Sequence, residues 1–457
     1  MNIRQLEKRL RSREISCVEL IRQTFADIKN RDKFNSLITL TEEQALAEAH
    51  ERDRELAEGR DHGPLHGVPI AHKDLFYTRG IRTTAGSLVF KDFVPDHDAA
   101  VVERLRAAGA ISIGKTNLHE IAYGITSKNP HFGFVLNPCD PKRLPGGSSG
   151  GSAALVAAGF LPMALGTDTG GSIRIPASYC GISGIKPTYG RVSRYGVLPL
   201  GFSLDHVGPL ASCIEDCALT MNAIAGLDAR DPTSSRLPVP EFNLPAPANL
   251  KGLRVGVPKN FFFDNLQEEV AAAVHNGIDA LSRLGATLVE TPIPNLAEAN
   301  IVARTIQLAE TAAVYAQHKD RSLFGNDVWA LLEQGRMIAG YDYVNAQRVR
   351  TLFRREFDAL WQRIDILAAP STPITAPLSD SATVHIGETE EDTRMASTRL
   401  ARAINLVGEP ALSLPCGTDS AGLPIGMQLI GAPFTEPKLL QAAKALESAF
   451  NVTVPRA

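Results

Sequence analysis

With 457 residues, 44% of them hydrophobic, and 47 basic against 50 acidic side chains, the chain is long and apolar enough to bury a large core. Its net charge of −3 and its lack of a long basic run exclude an electrostatic footprint for nucleic acid or an anionic membrane surface, which leaves a small, weakly charged ligand. Six cysteines without a C-x-x-C pair exclude a disulfide scaffold, so reduced thiols are expected.

Met1 to Glu14 is too charged for a signal peptide, and no apolar stretch reaches the roughly 18 residues that span a bilayer. A cytoplasmic location follows as an expectation. Ser16 with Glu19 forms a capping-box pattern that opens a helix to about Asn30, and Thr41 with Gln44 opens a second that Gly59 ends. Val68 to Asp74 reads as a short strand with Lys73 near its end. Asp98 is expected to cap a helix ending at Gly109, followed by a buried strand from Ala110 to Gly114, the alternation of a βαβ unit.

Ser152 to Phe160 is apolar on every side, the pattern of a buried helix. Leu161 to Gly166 reads as a strand and Ser172 to Ser178 as the start of another helix. Ser212 with Glu215 is expected to cap a helix to Ala225. Beyond it come a strand at Leu253 to Val257, a helix at Gln267 to Leu284, a strand at Ala286 to Glu290, a helix at Tyr343 to Trp361 and a strand at Ile364 to Ala369. Pro370 to Pro377 and the polar loop Asp380 to Thr393 are suited to a rim or lid. Ala411 to Leu414 and Gly426 to Ile430 look like closing strands, and Pro437 to Phe450 a final helix.

These elements predict an α/β fold: one large domain over residues 1–457, with a central mixed sheet covered by helices on both faces. Its parts are N-terminal helices to about 60, a core from about 61 to 225 and a second half from about 250.

Two serine-bearing glycine loops stand out, Gly146 to Ser152 and Gly166 to Arg174. Glycine lets backbone N–H groups crowd into a concavity for negative charge, and a hydroxyl there can become a nucleophile. The usual base, histidine, is not placed for it: His66, His72, His206, His275, His318 and His385 fall in no motif and read as surface or core-edge residues. Gly147 to Gly151 satisfies G-x-S-x-G, which would make Ser149 a nucleophile, but the proline-rich run before it cannot form the strand that such an elbow needs. Neither loop carries the ending of a phosphate-binding loop. Cys213 and Cys217 share a helix face without a histidine or second cysteine pair and read as packing, and Cys180 reads as a buried thiol.

Both loops, together with Gly184-Ile185-Lys186-Pro187-Thr188, resemble the amidase signature family, and the resemblance runs strongest from Lys73 to Pro209. It implies a serine-serine-lysine triad: Lys73 as base, Ser148 as bridging serine held by a cis peptide from Gly147, and Ser172 as nucleophile. Burial would make Lys73 a base by disfavouring its charged form. The N–H groups of Thr169, Gly170, Gly171 and Ser172 would form the oxyanion hole, and Ser149, Thr167, Asp168 and Arg174 would brace the loops. The chemistry needs no metal or organic cofactor.

Substrate-pocket candidates are Ile125, Thr126, the loop near Pro370 and Arg350, which would bind a carboxylate. The family holds both stand-alone amidases and the glutaminase subunit of aminoacyl-tRNA amidotransferases. Tyr123 to Gly133 looks more like the first, whereas Thr188 to Gly196 and Ala346 to Thr351 resemble the second. The expected activity is therefore a free amidase acting on a small-molecule amide, with a homodimer left open. The alternatives are a glutaminase subunit with partner subunits and a non-catalytic glycine-loop binding protein.

Overall fold

The apolar runs read as strands are buried at every position: Pro69–Lys73, Ile111–Thr116, Met163–Asp168 and Pro424–Gly431. Successive strand residues face opposite sides of a sheet, so complete burial means that both faces are covered. In the computed structural model, which describes residues 1–450, these strands belong to one eleven-stranded mixed sheet flanked by helices. Leu37–Leu40 forms one edge, and the order continues through Ile111–Thr116, Pro69–Lys73, Met163–Asp168, His206–Ala211 and Ser183–Lys186. It then runs through Ala411–Thr418, Pro424–Gly431, Ile366–Pro370 and Arg254–Pro258 to the far edge at Thr287–Thr291.

Pro69–Lys73 pairs parallel to a neighbour on each side, Ile111–Thr116 and Met163–Asp168. The middle of the sheet, from Met163–Asp168 to Ile366–Pro370, is antiparallel throughout. Strands from both halves of the chain thus share one sheet. The bound at residue 457 lies outside the described residues. Among those residues, no helix is long and apolar enough to cross a membrane.

Local signals succeeded where the capping side chain had no better partner. Ser16 and Glu19 form a complete capping box at the start of Cys17–Arg31. Thr41 occupies the cap position of Glu42–Ala57, but its hydroxyl donates to the Ser112 carbonyl at 3.0 Å instead. Two expected caps need correction. Asp98 accepts from the Arg79 N–H at 2.7 Å and pairs with Arg106, leaving Ala99 to cap Ala100–Ala107. Ser212 donates to Asp216 at 2.9 Å, and Cys213 holds the cap position of Ile214–Ile224.

The Asp380 to Thr393 loop contains a hairpin, Thr383–Ile386 with Thr389–Asp392, leading into the helix Thr393–Thr398. Helices Leu296–Val314 and Asn326–Arg336 have no counterpart in the sequence reading.

The buried helix Gly150–Ala157 carries the first serine loop at its N-terminus. Its approach to the sheet requires glycine: a Cβ on Gly151 would fall inside van der Waals contact of the Asn117 and Ser36 carbonyl oxygens. Gly151→Ala is expected to destabilise the fold by at least the about 1–3 kcal/mol typical of overpacking, seen as a lower midpoint in chemical denaturation.

Candidate active site

Lys73 ends a fully buried strand and is itself 0% exposed. Its Nζ donates to three hydroxyls: Ser148 Oγ at 2.7 Å, Thr167 Oγ1 at 2.9 Å and Ser149 Oγ at 3.0 Å. Among the described residues no carboxylate pairs with it. Burial is therefore the main influence on Lys73 and drives its pKa down to about 7, only partly opposed by the more distant charges of Asp205 and Asp168. Near neutral pH a large share of this amine is unprotonated, as a base requires.

The hydroxyls arrive from two loops on neighbouring elements. Gly146, at φ 77°, is followed by a cis peptide between Gly147 and Ser148, the isomer that the resemblance implied. Ser148 is fully buried, and its carbonyl accepts from the His119 N–H at 3.1 Å. Ser149 stands at the cap position of Gly150–Ala157, donates to the Thr167 carbonyl at 3.2 Å and accepts from the Thr167 N–H at 3.3 Å. These bonds join the two loops.

The second loop is organised around Asp168, at the end of Met163–Asp168. Its carboxylate accepts from the N–H groups of Gly171, Ile173 and Arg174, at 2.8, 3.1 and 3.4 Å. The Arg174 guanidinium grips it through two nitrogens, each at 3.1 Å, and reaches Asn405, Gln428 and the Ala401 carbonyl with its remaining donors. Burial alone would raise the Asp168 pKa, but the charge and hydrogen bonds of Arg174 outweigh it and hold the carboxyl well below the usual range.

Gly171 therefore needs correction as an oxyanion donor, because its N–H faces Asp168. The N–H groups of Thr169, Gly170 and Ser172 have no acceptor among the described residues and remain free for a ligand. Thr169, Gly170 and Ser172 line a cavity of about 260 Å³ that Ile125 also borders. Ser172, 5% exposed, lines the cavity, whereas Ser148, 0% exposed, does not.

Thr126 does not border this cavity; its hydroxyl contacts His119 Nδ1 at 3.2 Å. The loop after Pro370 also stays away from it, with Thr372 bonded to Ser178 at 3.0 Å. Arg350 is not a ligand group there. Its guanidinium donates to the Leu406 carbonyl at 2.6 Å and to the Ser203 carbonyl and hydroxyl at 2.9 and 3.0 Å, because these groups face it across the packed helices.

Cys180 is buried, with its thiol pushed upward by burial and donating to the Pro145 carbonyl at 3.3 Å, so it is no competing nucleophile. Three histidines expected at the surface or core edge, His66, His72 and His206, are buried instead; burial pushes His72 down to about 3.

Several site residues escaped the sequence reading. Asn405 donates to both the side chain and the carbonyl of Asp168 at 2.8 Å, and Asp205 accepts the Thr169 hydroxyl at 2.6 Å. A polar residue interrupting an apolar run, as in Leu406-Val407 after Asn405 or Met427-Gln428-Leu429, was the available signal. Arg402, on the cavity wall, had none.

A sheet-borne buried lysine, a serine at a cavity beside free main-chain donors, and this fold define an amidohydrolase acting on C–N amide bonds. The chain belongs to the amidase signature family: the family model described as Amidase matches residues 19–440. It is 42% identical to one of the subunits of the glutamyl-tRNA(Gln) amidotransferase of Chloroflexus aggregans, over 95% of this chain and 93% of that protein. Among solved structures, it superposes with a TM-score of 0.95, at 35% identity and full coverage of both chains, on one described as "An unexpected vestigial protein complex reveals the evolutionary origins of an s-triazine catabolic enzyme". The native peptide amidase from Stenotrophomonas maltophilia matches with a TM-score of 0.87 and 31% identity, covering 100% of this chain and 98% of that one. Membership of a family of enzymes removes the non-catalytic reading.

Arg174→Met would leave the Asp168 carboxylate buried without its counter-charge. A loss of about 3–5 kcal/mol in unfolding free energy is expected by chemical denaturation, and Arg174→Lys, which keeps the charge but not the planar fork, should recover only part of it.

Proposed function

We propose that the chain releases ammonia from a carboxylic amide through an acyl-enzyme on Ser172, with Lys73 as base and Ser148 as proton relay. The observation that carries this reading is the 2.7 Å contact between Lys73 Nζ and Ser148 Oγ, made by a buried amine that no carboxylate holds in its charged form. Ser172 Oγ attacks the carbonyl carbon as its proton passes to Ser148 Oγ, and the Ser148 proton passes to neutral Lys73. The N–H groups of Thr169, Gly170 and Ser172 receive the developing oxyanion, a role in which loss of one donor typically costs about 10²–10³ in rate.

Collapse of the tetrahedral intermediate returns the proton from Lys73 through Ser148 to the leaving nitrogen. Water then cleaves the acyl ester by the same route in reverse. Asp168 and Arg174 hold the loop in place and take no part in proton transfer. Ser149 and Thr167 orient the Lys73 amine by accepting its other two N–H bonds.

Of the two roles known in the family, the amidotransferase role has the better support, because curated relatives at 42% identity carry that name. The free-amidase role keeps one specific support, the Tyr123 to Gly133 segment, which resembles stand-alone enzymes. Ammonia release from glutamine should then require the other subunits of such an amidotransferase. Turnover of simple aliphatic amides by the purified chain alone would reverse that preference.

Both roles share one chemistry and one pH dependence. Lys73 must be neutral to act, so protonation below its pKa removes the active form. The kcat/KM of the active enzyme is expected to fall about tenfold per pH unit below about pH 7 and to level off above it. Ser172→Ala should lower turnover by roughly 10⁴-fold or more with circular dichroism unchanged, and Lys73→Arg, permanently charged, should be as inactive.

A further inference from the structure

Arg350 stands outside the amide cavity but lines a separate recess of about 190 Å³, between the helix Gly340–Leu360 and the segments that carry Tyr189, Ser203 and Val407. The recess shares no lining residue with the amide cavity. The helix makes most of its wall because Gln347, Arg350, Thr351 and Arg354 stand at i, i+3, i+4 and i+7, which is one helix face. Two of the lining side chains are guanidinium groups, and none is a carboxylate.

Neither arginine is neutralised. Arg350 is 8% exposed and forms no ion pair among the described residues. Its bonds to the Leu406 carbonyl and to the Ser203 carbonyl and hydroxyl use three of the five N–H groups of a guanidinium and leave two without an acceptor. Glu310, the acid whose charge bears on Arg350, accepts the Ser203 N–H at 2.9 Å and the Tyr343 hydroxyl at 3.0 Å and does not border the recess. Arg354 is exposed and has neither a hydrogen bond nor an ion pair among the described residues, although Asp358 follows one turn later.

Like charges four residues apart on a helix repel, and burial makes an unpaired charge more costly. Beside the two arginines, Gln347 Nε2 donates only to the Tyr343 hydroxyl, at 3.0 Å, and keeps a second N–H. A carboxylate carries one charge on a planar edge that a single guanidinium satisfies, whereas a tetrahedral dianion offers oxygens to both arginines and matches their two charges. We propose that this recess binds a phosphate-class dianion, either inorganic phosphate or the phosphate group of a monoester, between Arg350 and Arg354.

Through Arg350 the recess adjoins the braces of the second serine loop: Leu406 follows Asn405, which donates to Asp168, and Ser203 stands two residues before Asp205, which accepts the Thr169 hydroxyl. An anion held there engages groups that only the folded chain brings together, so binding stabilises the fold. The proposal does not depend on the role of Ser172.

Calorimetric titration of the full chain at fixed ionic strength with inorganic phosphate, sulfate, glycerol phosphate and acetate tests it. Phosphate or glycerol phosphate is expected to bind about tenfold or more tighter than acetate, with sulfate following phosphate, and saturation should raise the thermal unfolding midpoint. Tighter binding of glycerol phosphate than of inorganic phosphate assigns the site to a monoester, and the reverse assigns it to the free ion. Arg354→Met alters an exposed side chain without a partner, so circular dichroism should be unchanged while the preference and the midpoint rise are lost. Arg354→Lys, which keeps the charge without the fork, should retain part of both. Phosphate and glycerol phosphate both binding no tighter than acetate overturns the proposal. So does a preference that survives Arg354→Met, since the anion then binds elsewhere.

Discussion

The removal of the Lys73 amine from water without a neighbouring carboxylate is the constraint on which the rest of this site depends. An ammonium in a buried position is held charged by an ion pair or loses its preference for the proton. Three hydroxyls around Nζ accept its hydrogen bonds but add no negative charge, so desolvation prevails and the pKa falls to about 7. Everything that keeps the hydroxyls in place serves that balance: the packed helix Gly150–Ala157, the Ser149 bonds to Thr167, and the glycines that let backbone lie against backbone.

The protein offers an internal comparison, because other buried cations meet the same desolvation with different neighbours. Lys115, on the adjacent strand, has Asp74 at 3.4 Å as well as the Phe76 carbonyl and the Thr83 hydroxyl, and its pKa falls only to about 8. Lys186 donates to the carbonyls of Pro187 and Glu409 and contacts no hydroxyl; burial and the Arg174 charge lower it to about 7 against the charges of Asp168, Glu409 and Glu436. Arg174 is neutralised outright by Asp168 and becomes scaffold. Arg402 is left facing a cavity. Burial is common to Lys73, Lys115, Lys186 and Arg174; the neighbouring groups decide whether such a cation is a base or a brace.

Legibility in the sequence followed the range of the interaction involved. The capping box at Ser16 depends on residues three apart and was readable, as were the apolar runs that became buried strands. Asp98 and Ser212 had the composition of caps, but Arg106, the Arg79 N–H and Asp216 drew their side chains elsewhere, and local rules cannot weigh such rivals. Leu296–Val314 went unread although Pro292 and Pro294 precede it and Asn295 caps it, its side chain accepting from the Glu298 N–H. Arg350 and Arg402 look alike in sequence, yet one is locked onto carbonyls and the other opens on the cavity.

By itself the sequence determined the α/β class, the two glycine-serine loops, the lysine ahead of them and the family, because these reside in residue type and short spacing. Tertiary structure alone decided that Lys73 Nζ meets Ser148, 75 positions away, that Asp168 claims the Gly171 N–H, and that Arg402 rather than Arg350 faces the cavity. Those outcomes turn on which polar groups are brought within about 3 Å of one another away from water, a matter settled only when distant strands and helices close around them.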